Sequence, residues 1–118
     1  MDKAVLVSKL RAAFEAINRS GFHIDCVSII PAYPDLVSSS FVLLVSAPSL
    51  TDKSRFEKID LVVQQLYTYL DKNTLREIDR VQIYNSKEAI EIQARADFGD
   101  SFVNYCSTVL CEPAEQVA

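Results

Sequence analysis

The chain has 118 residues, of which 49% are hydrophobic and 24% are charged. This composition fits one globular domain that buries roughly two thirds of its surface on folding. The 16 acidic and 12 basic residues give a net charge of −4, so the protein gains no long-range attraction to nucleic acid or to an anionic membrane. We therefore expect neither as a partner.

Two further features bear on the compartment. The sequence after Met1 is an amphipathic pattern interrupted by Ser8, Lys9 and Arg11, unlike the apolar core of a secretory signal. The longest apolar run, residues 41–45, is far shorter than the roughly 20 residues that span a bilayer. The three cysteines are an odd number and suit free thiols in a reducing compartment. We expect a cytoplasmic protein.

The first predicted element is a helix over residues 3–19. Its apolar residues recur at helical spacing and form one face: Leu6, Leu10, Ala13, Phe14 and Ile17. Gly21 lies just beyond its end.

Residues 22–30 predict a strand. Strand periodicity places Phe22, Ile24, Cys26, Ser28 and Ile30 on one face and His23, Asp25, Val27 and Ile29 on the other. Residues 31–40, with two prolines and three serines, predict a loop. Residues 40–46 predict a strand that is apolar on both faces and hence central in a sheet.

The second predicted helix carries the strongest pattern. Ser54 and Glu57 have the spacing of a capping box. The apolar stripe that follows comprises Phe56, Ile59, Val63, Leu66 and Leu70. Further apolar side chains lie off this stripe: Leu61, Val62, Tyr67 and Tyr69. One face should therefore cover the sheet, while the surplus covers a second surface.

The remainder predicts two strands and a helix. Residues 80–85 form a strand with Val81 and Ile83 inward and Tyr84 on the opposite, exposed side. Residues 88–95 alternate most cleanly, with Ile90, Ile92 and Ala94 inward, and predict a half-exposed strand. Residues 101–111 fit a helical face, although their β-branched members leave a strand open. Residues 113–118 form a tail.

Together these elements predict an α+β fold in the order α-β-β-α-β-β-α. Pairs of strands between helices favour an antiparallel or mixed four-stranded sheet packed by helices. Residues 1–112 form a single domain in this interpretation.

The site-like stretch of the sequence surrounds its only histidine, His23. Strand periodicity puts Cys26 on the opposite face, which argues against a shared metal ion, and no cofactor motif is present. His23 and Asp25 share a face and could act as base and orienting acid. No nucleophile motif accompanies them. A pocket between the sheet and the 31–40 loop would be needed for a small enzyme or ligand-binding domain, which remains the alternative function.

The favoured function is a non-enzymatic protein-interaction module that binds a protein partner or itself as a homodimer. Exposed aromatic side chains and surplus apolar residues on a helix are typical of interfaces. The predicted partner-binding residues are Phe56, Val62, Tyr67 and Tyr69.

Some topological resemblances accompany this hypothesis. The segment from SFVLLVS to REIDRVQIYN resembles the arrangement in BolA-like and type II KH domains, but the KH GXXG loop is absent. The full element order, small size and acidic balance also resemble secretion-type chaperones, which are dimeric binders of unfolded segments, and small immunity proteins. A shared fold does not by itself imply a shared function.

Overall fold

The structure is a computed structural model that describes residues 2–33 and 40–111. Its main elements are, in chain order, α1 Lys3–Arg19, β1 Cys26–Pro31, β2 Phe41–Ser46, α2 Arg55–Tyr69, α3 Lys72–Leu75, β3 Ile78–Tyr84, α4 Lys87–Ala89, α5 Arg95–Phe98, α6 Asp100–Tyr105 and β4 Ser107–Cys111. A 3₁₀ turn, Pro48–Leu50, precedes α2, and a π-helical turn, Ile90–Ala94, joins α4 to α5. The α+β class is confirmed.

The four strands form one mixed sheet in the order β3-β2-β1-β4. β1 pairs antiparallel with both β2 and β4, whereas β2 pairs parallel with β3. All six residues of β2 are buried, which confirms the prediction that this strand is central. β3 and β4 are consequently the two edge strands of the sheet.

Helices cover the sheet on both faces. Leu43 and Val45 point into a core cluster shared with α1 and α2. Val42 and Leu44 point the other way, into a second cluster that includes Ile90 from the helical segment after β3. This alternation follows from the two-residue period of a strand and explains why β2 is apolar on both sides.

The two long helices form as predicted. The five apolar residues assigned to the inner face of α1 are all buried, and the turn after it uses Gly21 at a φ of 100°. Ser54 caps α2: its Oγ accepts a hydrogen bond from Glu57 N at 3.3 Å, and Glu57 Oε1 accepts one from Ser54 N at 3.4 Å. This reciprocal pair is the predicted capping box.

The predicted strand at 88–95 is wrong, because this segment is helical. Ser86 Oγ accepts a hydrogen bond from Ala89 N at 3.0 Å and starts the helix. Ile90 and Ala94, one helical turn apart, are buried, whereas Ile92 is 71% exposed. Residues at i and i+4 fit both an alternating and a helical pattern, and the Ala-, Glu- and Gln-rich composition favours the helix.

The fourth strand lies later in the chain than predicted. The segment 101–111, predicted as a helix with a strand left open, is helical to Tyr105 and extended from Ser107 to Cys111. The β-branched Thr108 and Val109 fall in the extended half, as their stiffness about χ1 favours. The predicted element order is therefore roughly consistent with the structure, with the fourth strand following the last helices instead of preceding them.

The predicted strand at 22–30 also begins later, at Cys26. Asn18 holds the preceding segment against α1: its Nδ2 donates to Ile24 O at 2.9 Å, and its Oδ1 accepts from Ile24 N at 2.7 Å. Ile24 packs into the α1–α2 cluster with Val27, whereas Cys26 faces the other cluster. The predicted grouping of Cys26 with Phe22 and Ile24 is therefore wrong. Most of the 31–40 loop and the 113–118 tail lie outside the described residues.

Candidate functional site

Three aromatic side chains of α2 are exposed to solvent. Phe56 is 83% exposed, Tyr67 is 69% exposed and Tyr69 is 39% exposed. Val62, the fourth predicted partner-binding residue, is only 1% exposed and packs in the core. Its side chain therefore belongs to the interior, and the exposed surface consists of the three aromatic residues.

The helix divides these aromatics between two sides. Phe56 and Tyr67 are eleven residues apart, which at about 100° per residue places them on nearly the same side of α2. Tyr67 lies beside β3, where it lines a cavity. Tyr69 instead lines a shallow cavity with Lys9 and Ala12 of α1. One contiguous surface can thus include Phe56 and Tyr67, but Tyr69 belongs to a different one.

A groove of about 490 Å³ runs between α2 and the edge strand β3. Apolar side chains form most of its wall: Ile59, Val63, Leu66, Tyr67, Leu75, Ile78 and Val81. Arg55, Asp79 and Arg80 bring charge to it. An apolar groove with a few charged groups, bordered by a strand edge, has the form of a site for an extended chain segment.

The hydrogen bonds of β3 indicate which of its backbone groups face the groove. Tyr84 O accepts a hydrogen bond from Ala47 N at 3.1 Å, so this carbonyl points towards β2. Successive residues of a strand direct their backbone groups to opposite edges. Val81 and Ile83 therefore direct their N–H and C=O groups outward, away from β2, where another strand could pair with them.

Charged residues lie at both ends of this edge. Near its start, Asp79 contacts Arg80 at 3.0 Å and accepts a hydrogen bond from the Tyr33 hydroxyl at 3.3 Å. Near its end, Arg55 and Lys58 lie beside Ile83, where the three residues line a common cavity. The edge thus has the Asp79–Arg80 ion pair at one end, and at the other Arg55 and Lys58 share a cavity with Asp97.

The sequence-predicted pair His23 and Asp25 lies in the segment between α1 and β1. His23 is exposed, and its carbonyl oxygen accepts a hydrogen bond from Ser49 Oγ at 3.4 Å. Asp25 is half-buried. Because neither residue belongs to a strand, strand periodicity does not pair them. Neither side chain lines the cavities beside α2, β3 or the helical segment 87–105.

All three cysteines line a second cavity, of about 460 Å³, between the sheet and the helical segment 87–105. Cys26 is buried, Cys106 is half-buried and Cys111 is exposed, and all three are free thiols. The helix predicted over residues 101–111 would have carried both Cys106 and Cys111. The change from helix to strand between these residues is what brings them to one cavity, and the β-branched residues were the only signal of it.

Tyr84 was predicted to be exposed, but it is only 6% exposed. It points into the cluster beneath the helical segment that the sequence predicted as a strand. Its hydroxyl donates a hydrogen bond to Gln82 Oε1 at 2.8 Å. Burial, and secondarily the negative charge of Asp97, raise the pKa of Tyr84 to about 12.

Two further findings concern metal binding and membrane spanning. Within residues 2–33 and 40–111, no group of three or more His, Cys, Asp or Glu side chains is arranged to hold a metal ion. No helix in that part of the chain combines the length and apolar character needed to cross a membrane. The chain matches no family model, no curated protein and no solved structure. Its function is therefore argued from its own geometry.

Proposed function

We propose that this protein is a non-enzymatic, cytoplasmic protein-interaction module that functions as a homodimer, with the second copy bound along β3 and the groove beside α2. The observation that carries the proposal is the combination of an outward-facing strand edge with an exposed aromatic helix face. An open edge strand is a template for pairing with another chain, and folded proteins usually cover or block it. Self-association would cover this one.

A two-fold axis perpendicular to the sheet gives a specific pairing. This axis keeps both copies of α2 on the same face, and opposite residues of an antiparallel pair share a face. The register of this antiparallel pairing is then defined by the one residue that lies opposite itself in the second copy. Centred on Val81, it places Asp79 opposite Ile83 of the second copy and pairs the outward backbone groups of the two Val81 residues with each other. Centred on Arg80, it would oppose two like charges, which is unfavourable.

The charges along the edge favour the same register. Asp79 of one copy would lie opposite Ile83 of the other, beside which Arg55 and Lys58 are found. The two-fold axis repeats this contact at the other end of the interface. Asp79 of each copy would then lie near Arg55 and Lys58 of the other copy, which is a complementary contact of the kind that an isologous interface repeats about its axis.

The experiment is a charge exchange followed by size-exclusion chromatography with light scattering over a range of concentrations. We expect the wild type to have twice the 13.2 kDa mass of one chain. Asp79→Arg and Arg55→Asp should each weaken the dimer, and the double variant should regain affinity, because the opposed charges are exchanged rather than removed.

Tyr69→Lys is the matched control, because Tyr69 lies on the α1 side of α2 and is outside the proposed interface. A wild type that stays monomeric at all concentrations would refute the homodimer. A dimer weakened by Tyr69→Lys but indifferent to the charge exchange would refute the surface. No second function is proposed, since His23 and Asp25 line none of the cavities described above.

A further inference from the structure

Cys26 and Cys111 occupy directly opposite positions in the antiparallel pair of β1 and β4. Directly opposite residues of such a pair have Cα atoms about 4.5 to 5.5 Å apart. A disulfide joins residues whose Cα atoms are about 4.4 to 6.8 Å apart. The sheet register alone therefore holds these two cysteines at a separation that a disulfide can bridge.

Side-chain orientation satisfies the second requirement. Opposite residues of an antiparallel pair point to the same face, and both thiols line the cavity on the α4–α6 side of the sheet. The two thiols are also within hydrogen-bond reach of one another. No rearrangement of the strands is required to bring the sulfur atoms together.

The two thiols differ in their access to solvent. Cys111 lies on an edge strand and is exposed, whereas Cys26 is 6% exposed. A small oxidant in solution therefore reaches Cys111 first. Burial, followed by the adjacent Cys111 thiol, raises the pKa of Cys26 well above its usual range, so Cys26 is the less reactive of the two thiols towards the oxidant.

We propose that Cys26 and Cys111 are a redox modification site that forms a reversible cross-strand disulfide with a low-molecular-weight disulfide, such as oxidised glutathione, as the oxidant. The Cys111 thiolate attacks one sulfur of the oxidant, forms a mixed disulfide and releases one small thiolate, which takes up the proton lost by Cys111. Cys26 then loses its proton and attacks the Cys111 sulfur. This second step forms the Cys26–Cys111 bond and releases the second small thiolate, which is protonated in turn.

Atoms and electrons balance in this reaction. Two protein thiols are oxidised to one disulfide, and one small disulfide is reduced to two thiols. An excess of the reduced small thiol reverses both steps. The new bond would link the last described strand to the first strand of the sheet, and closing so long a loop restricts the unfolded chain strongly.

Cys106 is the internal control. It lines the same cavity, but it lies before β4 and is not opposite Cys26 in the sheet. Burial raises its pKa, and a hydrogen bond with Ser28 partly opposes this rise. If proximity to the cavity alone decided the outcome, Cys106 would compete with Cys111 for Cys26.

The test exposes the full chain to oxidised glutathione at about pH 8, followed by thiol counting and peptide mapping by mass spectrometry. We expect the free thiols to fall from three to one, with Cys26 linked to Cys111. Cys106→Ser should form the same bridge. Cys26→Ser should instead accumulate glutathione on Cys111. The oxidised wild type should melt on the order of 10 °C above the reduced one.

Several results would overturn the proposal. These are a bridge that contains Cys106, a bridge between two chains, a stable glutathione adduct on the wild type, or three thiols that persist after oxidation. The site lies on the β4 edge of the sheet, opposite the β3 edge. The result of the thiol experiment therefore does not depend on the proposed homodimer.

Discussion

Replacing Tyr84 by Phe removes one buried hydroxyl and leaves the ring in place. The hydroxyl donates to Gln82 Oε1 at 2.8 Å. Gln82 is half-buried, so its amide can regain a hydrogen bond with water. The loss at neutral pH should therefore be that of one ordinary hydrogen bond, about 1 kcal/mol.

The difference in unfolding free energy between wild type and Tyr84→Phe should depend on pH. In the folded protein, burial raises the pKa of Tyr84 from the usual value of about 10 to about 12. Above pH 10 the unfolded chain loses the phenol proton first, which favours unfolding. The contribution of Tyr84 is thus complete below pH 10 and is lost as the pH rises to 12. Two pKa units correspond to roughly 3 kcal/mol, of which roughly half is lost by pH 11.

Urea unfolding of wild type and Tyr84→Phe between pH 8 and pH 11 measures this difference. The variant should be less stable at pH 8, and the gap should close or reverse by pH 11, because Phe has no proton to lose. Tyr69→Phe is the control, since that ring is 39% exposed and lies outside the proposed interface, and it should follow the wild-type curve. Parallel curves for wild type and Tyr84→Phe would refute the burial argument.

Two further predictions test the helical segment that contains Ile90 and the cap of α2. Ile90→Ala should lower the free energy of unfolding by about 2 to 5 kcal/mol, whereas Ile92→Ala, at a position that is 71% exposed, should change it by less than about 0.5 kcal/mol. Equal losses in urea unfolding would favour the strand over the helix. Ser54→Ala should cost about 1 kcal/mol by removing the cap of α2, while Ser54→Asp should keep most of it. An equal loss for both would show that the cap contributes nothing.

The sequence correctly predicts the elements whose apolar residues fit either the helical or the strand period, but not both. α1 and α2 repeat their apolar residues over several turns, and β2 is apolar on both faces because two helical layers cover it. The segment 88–95 has too few apolar residues to distinguish the periods, since Ile90 and Ala94 satisfy both. Its structure is decided by the Ser86 cap, which is visible in the sequence, and by packing against Tyr84, which cannot be recognised before the fold is known.

The candidate sites were predictable to different degrees. The exposure of Tyr67 follows from the helical period, because Tyr67 lies off the predicted apolar stripe. Phe56 was assigned to that stripe, and its 83% exposure is a departure from the prediction. The cluster of thiols does not follow from local pattern, because the opposition of Cys26 and Cys111 depends on a long-range strand pairing. Pairings between distant segments leave little trace in a single sequence.

The position of β4 has a consequence for how the chain is made. The outer edge of β1 is completed by residues 107–111, so the ribosome must add about 75 residues after β1 before that edge can pair. At typical rates of synthesis, this interval lasts roughly 4 to 15 s. During it, the buried strand Cys26–Pro31 has one open side that a neighbouring nascent chain could occupy. Conditions that slow translation should therefore increase aggregation of this protein more than conditions that only weaken its folded state.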